Sequence, residues 1–145
     1  MNILFLLKTL GVGGVEVVTI TLANKFASEG HNVVIYARTS REKILKDRLH
    51  ENVKYYVGFG DNDCSQNVSQ LHDIYVKENI EVVVNQWGLP YKPIRLARKA
   101  EMGHRVKVIS FHHNDPSTNG KLKSAEKSLK VSRNAIEKCI EQIKY

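Results

Sequence analysis

No apolar run in this sequence approaches the ~20 residues that a membrane-spanning helix needs. The start does not read as a secretory leader: no basic residue precedes the run Ile3–Leu7, and Lys8 interrupts it early. Cysteine is scarce. Cys64 and Cys139 lie far apart without CxxC spacing, which excludes a disulfide scaffold and reads as reduced thiols in a cytoplasmic protein. Chemical motifs are missing as well. No G-x-S-x-G elbow presents a serine nucleophile, no HxH or HExxH pattern offers metal ligands, and Asp61, Asp63 and Asp73 do not follow calcium-loop spacing. Aromatics are only 8% of the residues and no RNA- or DNA-binding module appears, so nucleic acid is not expected as a partner despite a pI near 9.4.

What is present fits one domain. A chain of 145 residues is long enough for a core between a sheet and two helix layers. With 42% apolar and 26% charged residues it has an ordinary globular composition. The net charge of +7 is unevenly placed. Residues 1–91 carry nine Lys/Arg against ten Asp/Glu, whereas residues 92–145 carry thirteen against five. Such asymmetry points to a basic face that meets anionic lipid, nucleic acid or phosphate, though for a charge run a solvated helix face is the plainer reading.

Apolar runs alternate with helical segments. Ile3–Leu7, Val33–Ala37, Val53–Val57, Ile80–Val84 and Val106–Phe111 read as strands. Val15, Val18, Leu22 and Phe26 fall on one helix face, and Gly30 is placed to end that helix. Ser40 could cap a short charged helix reaching Leu49. Ser65 or Asn67 could cap a helix through Val68, Leu71, Ile74 and Tyr75. Pro90 and Pro93 open a further helix that Gly103 closes. The strands are continuous β-branched runs, the pattern of strands buried on both faces. The expected fold is therefore α/β: a doubly wound, Rossmann-like parallel sheet with helices on both faces.

Ligands of such sheets bind beyond the carboxyl ends of the strands, near the switch in strand order. Three segments fall there. Leu10-Gly11-Val12-Gly13-Gly14-Val15-Glu16 follows the first strand and opens a helix. Glycines let a ligand approach the backbone, and a helix N-terminus attracts anions, so Gly13 and Gly14 are candidates to face a phosphate. Positive φ is expected in this turn. It is not a dinucleotide fingerprint, because Glu16 stands where the third glycine belongs, and it lacks the G-K-[ST] of a Walker loop. A plain βα turn that binds nothing would look the same. The second segment is Gln86-Trp87-Gly88, and the third is His112-His113-Asn114-Asp115. Adjacent histidines on a strand point to opposite faces, so the pair is not expected to share a metal. One histidine at a strand end can hydrogen-bond a ligand or move a proton, or simply pack. His31 reads as structural, and His50, His72 and His104 lie in surface-like contexts.

The last segment carries an apolar stripe at helical spacing through Leu122, Ala125, Leu129, Ser132, Ile136, Cys139 and Ile143. Ordinary packing on the sheet is the plainer reading of this stripe; the alternatives are a coiled-coil seam or a membrane-surface helix, with Lys123, Lys127, Lys130 and Arg133, which lie off the stripe, facing the membrane.

Taken together, the chain resembles the amino-terminal domain of glycosyltransferase family 4, the first half of a GT-B architecture. The resemblance is carried by Asn2–Leu6, by Leu10–Glu16 with its GGxE turn, by Leu22-Ala23-Asn24, and by Glu29-Gly30-His31-Asn32-Val33 at the entry to the second strand. Ile109-Ser110-Phe111-His112 resembles the family's strand that ends in a histidine at the cleft.

The resemblance implies transfer of a sugar from a nucleotide-diphosphate sugar, with retention and without a required metal or other cofactor. The acceptor would be lipid-linked or part of a polysaccharide. Gly13 and Gly14 would face the donor phosphates, and His112 would lie near the donor sugar as the catalytic-site residue. Glu16, Trp87, His113 and Asn114 would line the turn or the acceptor cleft. Residues 1–145 would form the acceptor-side domain only, in a truncated chain that lacks the donor-binding domain and is inactive alone. The location would be cytoplasmic, peripheral to an anionic membrane face. The competing class is a non-catalytic Rossmann-like module that binds a protein partner, an anionic phospholipid or nucleic acid.

Overall fold

The computed structural model describes residues 1–39, 45–60, 63–86 and 91–111. Five strands form one sheet: β1 (Asn2–Leu7), β2 (Asn32–Ala37), β3 (Val53–Val57), β4 (Val82–Asn85) and β5 (Lys107–Ser110). Their order is β3-β2-β1-β4-β5, and every pairing is parallel. The helices are α1 (Gly14–Ser28), α2 (Ser65–Lys77) and α3 (Tyr91–Lys99), with a single 3₁₀ turn at Lys46–Arg48. This is the doubly wound α/β fold that the strand pattern predicts, with its switch in order between β1 and β4.

Two apolar layers flank the sheet. On one face Ile20, Ala23 and Ala27 of α1 pack with Leu45 against Phe5, Leu7, Val33, Ile35, Val84 and Ile109. On the other, Leu71, Ile74 and Tyr75 of α2 and Leu96, Ala97 and Ala100 from α3 and its end pack against Leu4, Leu6, Val34, Tyr36 and Val83. The continuous apolar strands β1, β2 and β4 are buried on both sides, whereas the edge strand β3 leaves Lys54 exposed.

Both long helices stop by the same device. After α1, Gly30 adopts φ +87, its N–H donates to Ala27 O, and His31 N–H donates to Phe26 O. After α2, Asn79 adopts φ 48, its N–H donates to Val76 O, and Ile80 N–H donates to Tyr75 O. These are Schellman closures that satisfy the last carbonyls and turn the chain into the next strand. The second explains why β4 starts at Val82 rather than at Ile80: Ile80 belongs to the exit of α2, where it is buried.

Three further expectations need correction. On α1, Val18 is exposed, and the buried face runs through Thr19, Ile20, Ala23 and Ala27 with Val15, Leu22 and Phe26 beside it. Small residues let the helix lie close to the sheet, and Thr19 hides its hydroxyl by donating to Val15 O at 2.8 Å. On α2, neither Ser65 nor Asn67 is the cap: Cys64 holds that position. The histidines at 50, 72 and 104 are half-buried and bonded to backbone. His72 Nδ1 donates to Ala100 O at 3.0 Å and His104 Nε2 to Ile80 O at 2.7 Å, which ties α2 and its exit to the end of α3 and the turn after it. Residues 40–44, including the expected cap Ser40, lie outside the described residues, as does Pro90.

Candidate functional site

All five strands end at the same edge of the sheet, and their exits are strapped to one another. Arg38 N–H donates to Leu7 O, Gly58 N–H to Ala37 O, Gln86 N–H to Leu6 O and Phe111 N–H to Asn85 O, each at 2.8–3.1 Å. Thr39 doubles one strap, donating from both N–H and Oγ1 to Lys8 O at 3.0 and 3.1 Å. This edge is therefore a pinned platform for the loops that leave it.

The glycine turn stands on the β1 exit, at the switch point. Leu10 anchors it in the core, while Val12 at its tip is 74% exposed. Gly13 is the cap of α1, and its φ of −173° is extended backbone. The expected positive φ is thus absent: among the described residues the positive-φ glycines are Gly30, Gly60 and Gly103. What constrains Gly13 is contact. A β-carbon there would overlap the Glu16 carboxylate, which folds back from the first turn of α1. Gly14 is different. It is exposed, and a β-carbon on it would meet nothing within 4 Å. Open space thus lies beside Gly14 at the N-terminus of a 15-residue helix, an end whose free N–H groups and dipole favour an anion. Glu16 makes no hydrogen bond or ion pair with any described residue, and its negative charge sits at the same helix end.

The exit of β3 is built with equal care. Asn67, fully buried, accepts from Phe59 N–H at 2.7 Å and donates to Gly60 O at 3.0 Å. The Tyr36 hydroxyl lies 3.2 Å from Asn67 Oδ1 and 2.9 Å from Gln70 Oε1, and Gln70 Nε2 donates to Val57 O at 3.1 Å. Burial pushes the Tyr36 phenol well above its usual range, with Cys64 adding to the shift and Arg38 opposing it, so it stays a neutral donor. Gly58 is required by this packing, because a β-carbon would stand 2.5 Å from Tyr36 Oη, 2.7 Å from Asn67 Oδ1 and 3.0 Å from Arg38 O. The result is a fixed loop that holds Phe59 61% exposed at the ligand edge.

Beside it, Asp63 joins α2 to α3. Arg95 grips it as a fork, with Nε 2.8 Å from Oδ2 and Nη2 2.9 Å from Oδ1, and Lys99 Nζ lies 2.8 Å from Oδ2. Hydrogen bonds from Lys99 and Arg95 hold the Asp63 carboxyl down to about 2. Among the described residues, no group of three or more His, Cys, Asp or Glu stands close enough to hold a metal ion, and no helix is long and apolar enough to cross a membrane.

The structure thus brings Gly13, Gly14 and Glu16 together at the switch point. Trp87, His112, His113 and Asn114 lie outside the described residues, as do Lys123, Lys127, Lys130 and Arg133. Their points of departure are nonetheless fixed, since Gln86 and Phe111 leave the neighbouring strands β4 and β5. Sequence reasoning missed Arg38 and Asn85, and named Asn67 only as a helix cap and Ser110 only as part of a strand, so it did not see the buried polar layer beneath the site that these four residues form. One signal was available: each is a polar residue at the end of an apolar run or the start of a helix, where a side chain can close a loop.

A family model described as Glycosyltransferase Family 4 matches residues 12–141. No curated protein matches the chain.

Proposed function

The chain belongs to glycosyltransferase family 4, and we propose that this glycosyltransferase domain forms the acceptor-side wall of a cleft in which a nucleotide-diphosphate sugar gives up its sugar with retention. The observation that carries the reading is the open helix N-terminus at Gly14, standing at the switch between β1 and β4. A diphosphate leaving group gathers negative charge as the glycosidic bond breaks. Backbone N–H groups and a helix dipole aimed at it stabilise that charge without reorganising. Gly13 and Gly14 would face these phosphates. His112, one residue beyond Phe111, would stand near the donor sugar as the catalytic group, and Glu16, Trp87, His113 and Asn114 would line the acceptor side. No metal is required in this reading, because the backbone and a second wall supply the positive field.

The acceptor would be lipid-linked or a growing polysaccharide, which suits a cytoplasmic enzyme peripheral to the membrane. In this reading the domain forms one wall of the cleft, so the domain by itself should neither turn over nor bind nucleotide sugars tightly.

The decisive experiment is Gly14→Val in the enzyme that joins this domain to its donor-binding wall. The site is open, so the fold should survive with its melting temperature changed little. A side chain in the phosphate space should lower kcat/KM for transfer by at least about 100-fold, the scale of losing oxyanion-type stabilisation. Near-normal transfer by that variant would remove the assignment. His112→Ala should likewise lower turnover far more than His113→Ala, and the reverse order would reassign the histidine.

A further inference from the structure

We propose that Phe59 is a stacking platform for a pyranose ring of the acceptor, held ready at the ligand edge by the network around Asn67. The inference rests on the reading of this domain as the acceptor-side wall, and it names a contact within that wall.

Among the described side chains, Phe59 alone of the aromatics is exposed. A single exposed apolar residue is ordinary on a protein surface. What sets this one apart is how it is held. Three consecutive backbone N–H groups are bonded: Gly58 donates to Ala37 O at 2.8 Å, Phe59 to Asn67 Oδ1 at 2.7 Å, and Gly60 to Arg38 O at 3.0 Å. Asn67 Nδ2 returns a bond to Gly60 O at 3.0 Å. Gly58 has no room for a β-carbon, and Gly60 has φ +147, so the turn on both sides of Phe59 follows one course. The bonds run to the end of β2 and to α2, which fixes the ring relative to the sheet rather than to its own loop.

The position of the ring indicates what it meets. The turn leaves the carboxyl ends of the strands, where ligands of such sheets bind. A glycosyltransferase domain has sugars as substrates, so pyranose rings are the ligands of that edge. One face of a pyranose is a patch of C–H groups. The face of a phenyl ring is the negative side of its quadrupole and attracts such C–H groups, with dispersion across the whole contact. A ring already fixed in place loses little freedom when a sugar covers it.

The exits of β3 and β1 are two strand spacings apart, about 10 Å. A sugar resting on Phe59 is thus set to the side of the β1 exit, where the donor phosphates would lie. It belongs to the acceptor beyond the ring that receives the new residue, so an acceptor of at least two linked rings fits this edge. A lipid chain or an apolar peptide would also cover a phenyl ring, but neither needs that ring to be flat. Phe59→Leu keeps the apolar contact and removes the flat face, whereas Phe59→Tyr keeps both.

The test uses the 145-residue chain with lactose, cellobiose, maltose and N,N′-diacetylchitobiose as probes at millimolar concentration. Ring signals are followed in ¹³C-phenylalanine-labelled protein, with Phe59 identified by its absence from the Phe59→Leu spectrum. At least one disaccharide should shift the Phe59 ring saturably and leave the buried Phe5 ring unmoved. By saturation transfer to that sugar, Phe59→Leu should bind about tenfold more weakly, or ~1.4 kcal/mol, and Phe59→Tyr within about twofold of the unaltered chain. All three chains should melt alike, because the side chain is exposed.

A Phe59 signal unmoved by every disaccharide overturns the platform, and so does Phe59→Leu binding as well as the unaltered chain. A signal that moves with phosphatidylglycerol vesicles and with none of the sugars assigns the ring to a lipid surface and overturns it too. Should the sugars stack on Phe59 while Gly14→Val leaves transfer near normal, the platform stands and the donor-phosphate reading is what fails. Should Gly14→Val abolish transfer while Phe59 stays silent, the platform fails and the donor-phosphate reading stands.

Discussion

The Glu16 carboxylate folds back over Gly13, so that a β-carbon at Gly13 would stand 3.3 Å from Glu16 Cδ and overlap the nearer oxygen. The relationship has two consequences of opposite sign. A carboxylate in the first turn of α1 suits the positive end of the helix dipole, a gain of about 0.3–1 kcal/mol. The same charge repels any phosphate that approaches that end.

Glu16→Gln should therefore lower the melting temperature slightly and bind anions better. Removing a unit charge near the surface is worth on the order of 1 kcal/mol. Titration of the chain with inorganic pyrophosphate at low salt should show affinity raised about five-fold, and Gly13→Ala should displace the carboxylate at the cost of a poorer cap, about 0.5–1 kcal/mol. Unchanged pyrophosphate binding in Glu16→Gln would mean that the anion does not meet this helix end.

Asn67 is the support on which the β3 exit depends. Its amide serves Phe59 N–H and Gly60 O, and both would be left without it. Asn67→Ala should cost about 1–2 kcal/mol by removing the partner of these part-buried loop groups, read as a fall in denaturant midpoint. Hydrogen exchange should rise at Phe59 before it rises in β1 or β2. Loss spread evenly over the sheet would show that the network holds the whole fold rather than its loop.

The Asp63 ion pairs set an acid limit. The folded carboxyl is held to about 2, while the unfolded one titrates near ~3.9. A depressed carboxyl contributes stability that is complete above the unfolded value and disappears as pH falls through the folded one. The contribution of Asp63 should thus be full above about pH 4 and vanish toward pH 2. Arg95 and Lys99 are half-exposed, at 41% and 52%, so water screens the gain to about 1 kcal/mol. Asp63→Asn should lower stability at pH 7 by that amount and leave it unchanged near pH 2. An equal loss at both pH values would assign the effect to packing.

The sheet was legible because strands buried on both faces announce themselves as unbroken runs such as Val33–Ala37 and Val82–Val84. The stop of α1 was legible because Gly30 tolerates the left-handed turn. The buried face of α1 was misread for a physical reason: residue type named Val18, whereas close approach to the sheet favours Ala23 and Ala27 and hides Thr19 through its own helix. At the site, the spacing of Gly13, Gly14 and Glu16 located the turn. It could not supply the backbone angles, because a glycine that must avoid a carboxylate looks the same in sequence as one that needs positive φ. The buried pairings of Asn67, Asn85 and Ser110 were missed because the partners lie far along the chain, as with Tyr36 and Asn67 at 31 residues' separation. No local pattern records such a pairing.

The basic second half of the chain yields a prediction of its own. If Lys123, Lys127, Lys130 and Arg133 face a membrane, the attraction is electrostatic, about 1 kcal/mol per cation near an anionic surface and screened within about 10 Å at 0.1 M salt. The chain should sediment with vesicles containing phosphatidylglycerol at low ionic strength, much less with pure phosphatidylcholine vesicles, and should be released by high salt. Four charges acting together would give a change of several kcal/mol, so replacing all four with Gln should abolish sedimentation. Because these residues avoid the apolar stripe through Leu122, Leu129 and Ile136, the melting temperature should hold. Equal sedimentation with both vesicle types would assign binding to apolar contact, and none with either would make the basic residues a solvated face.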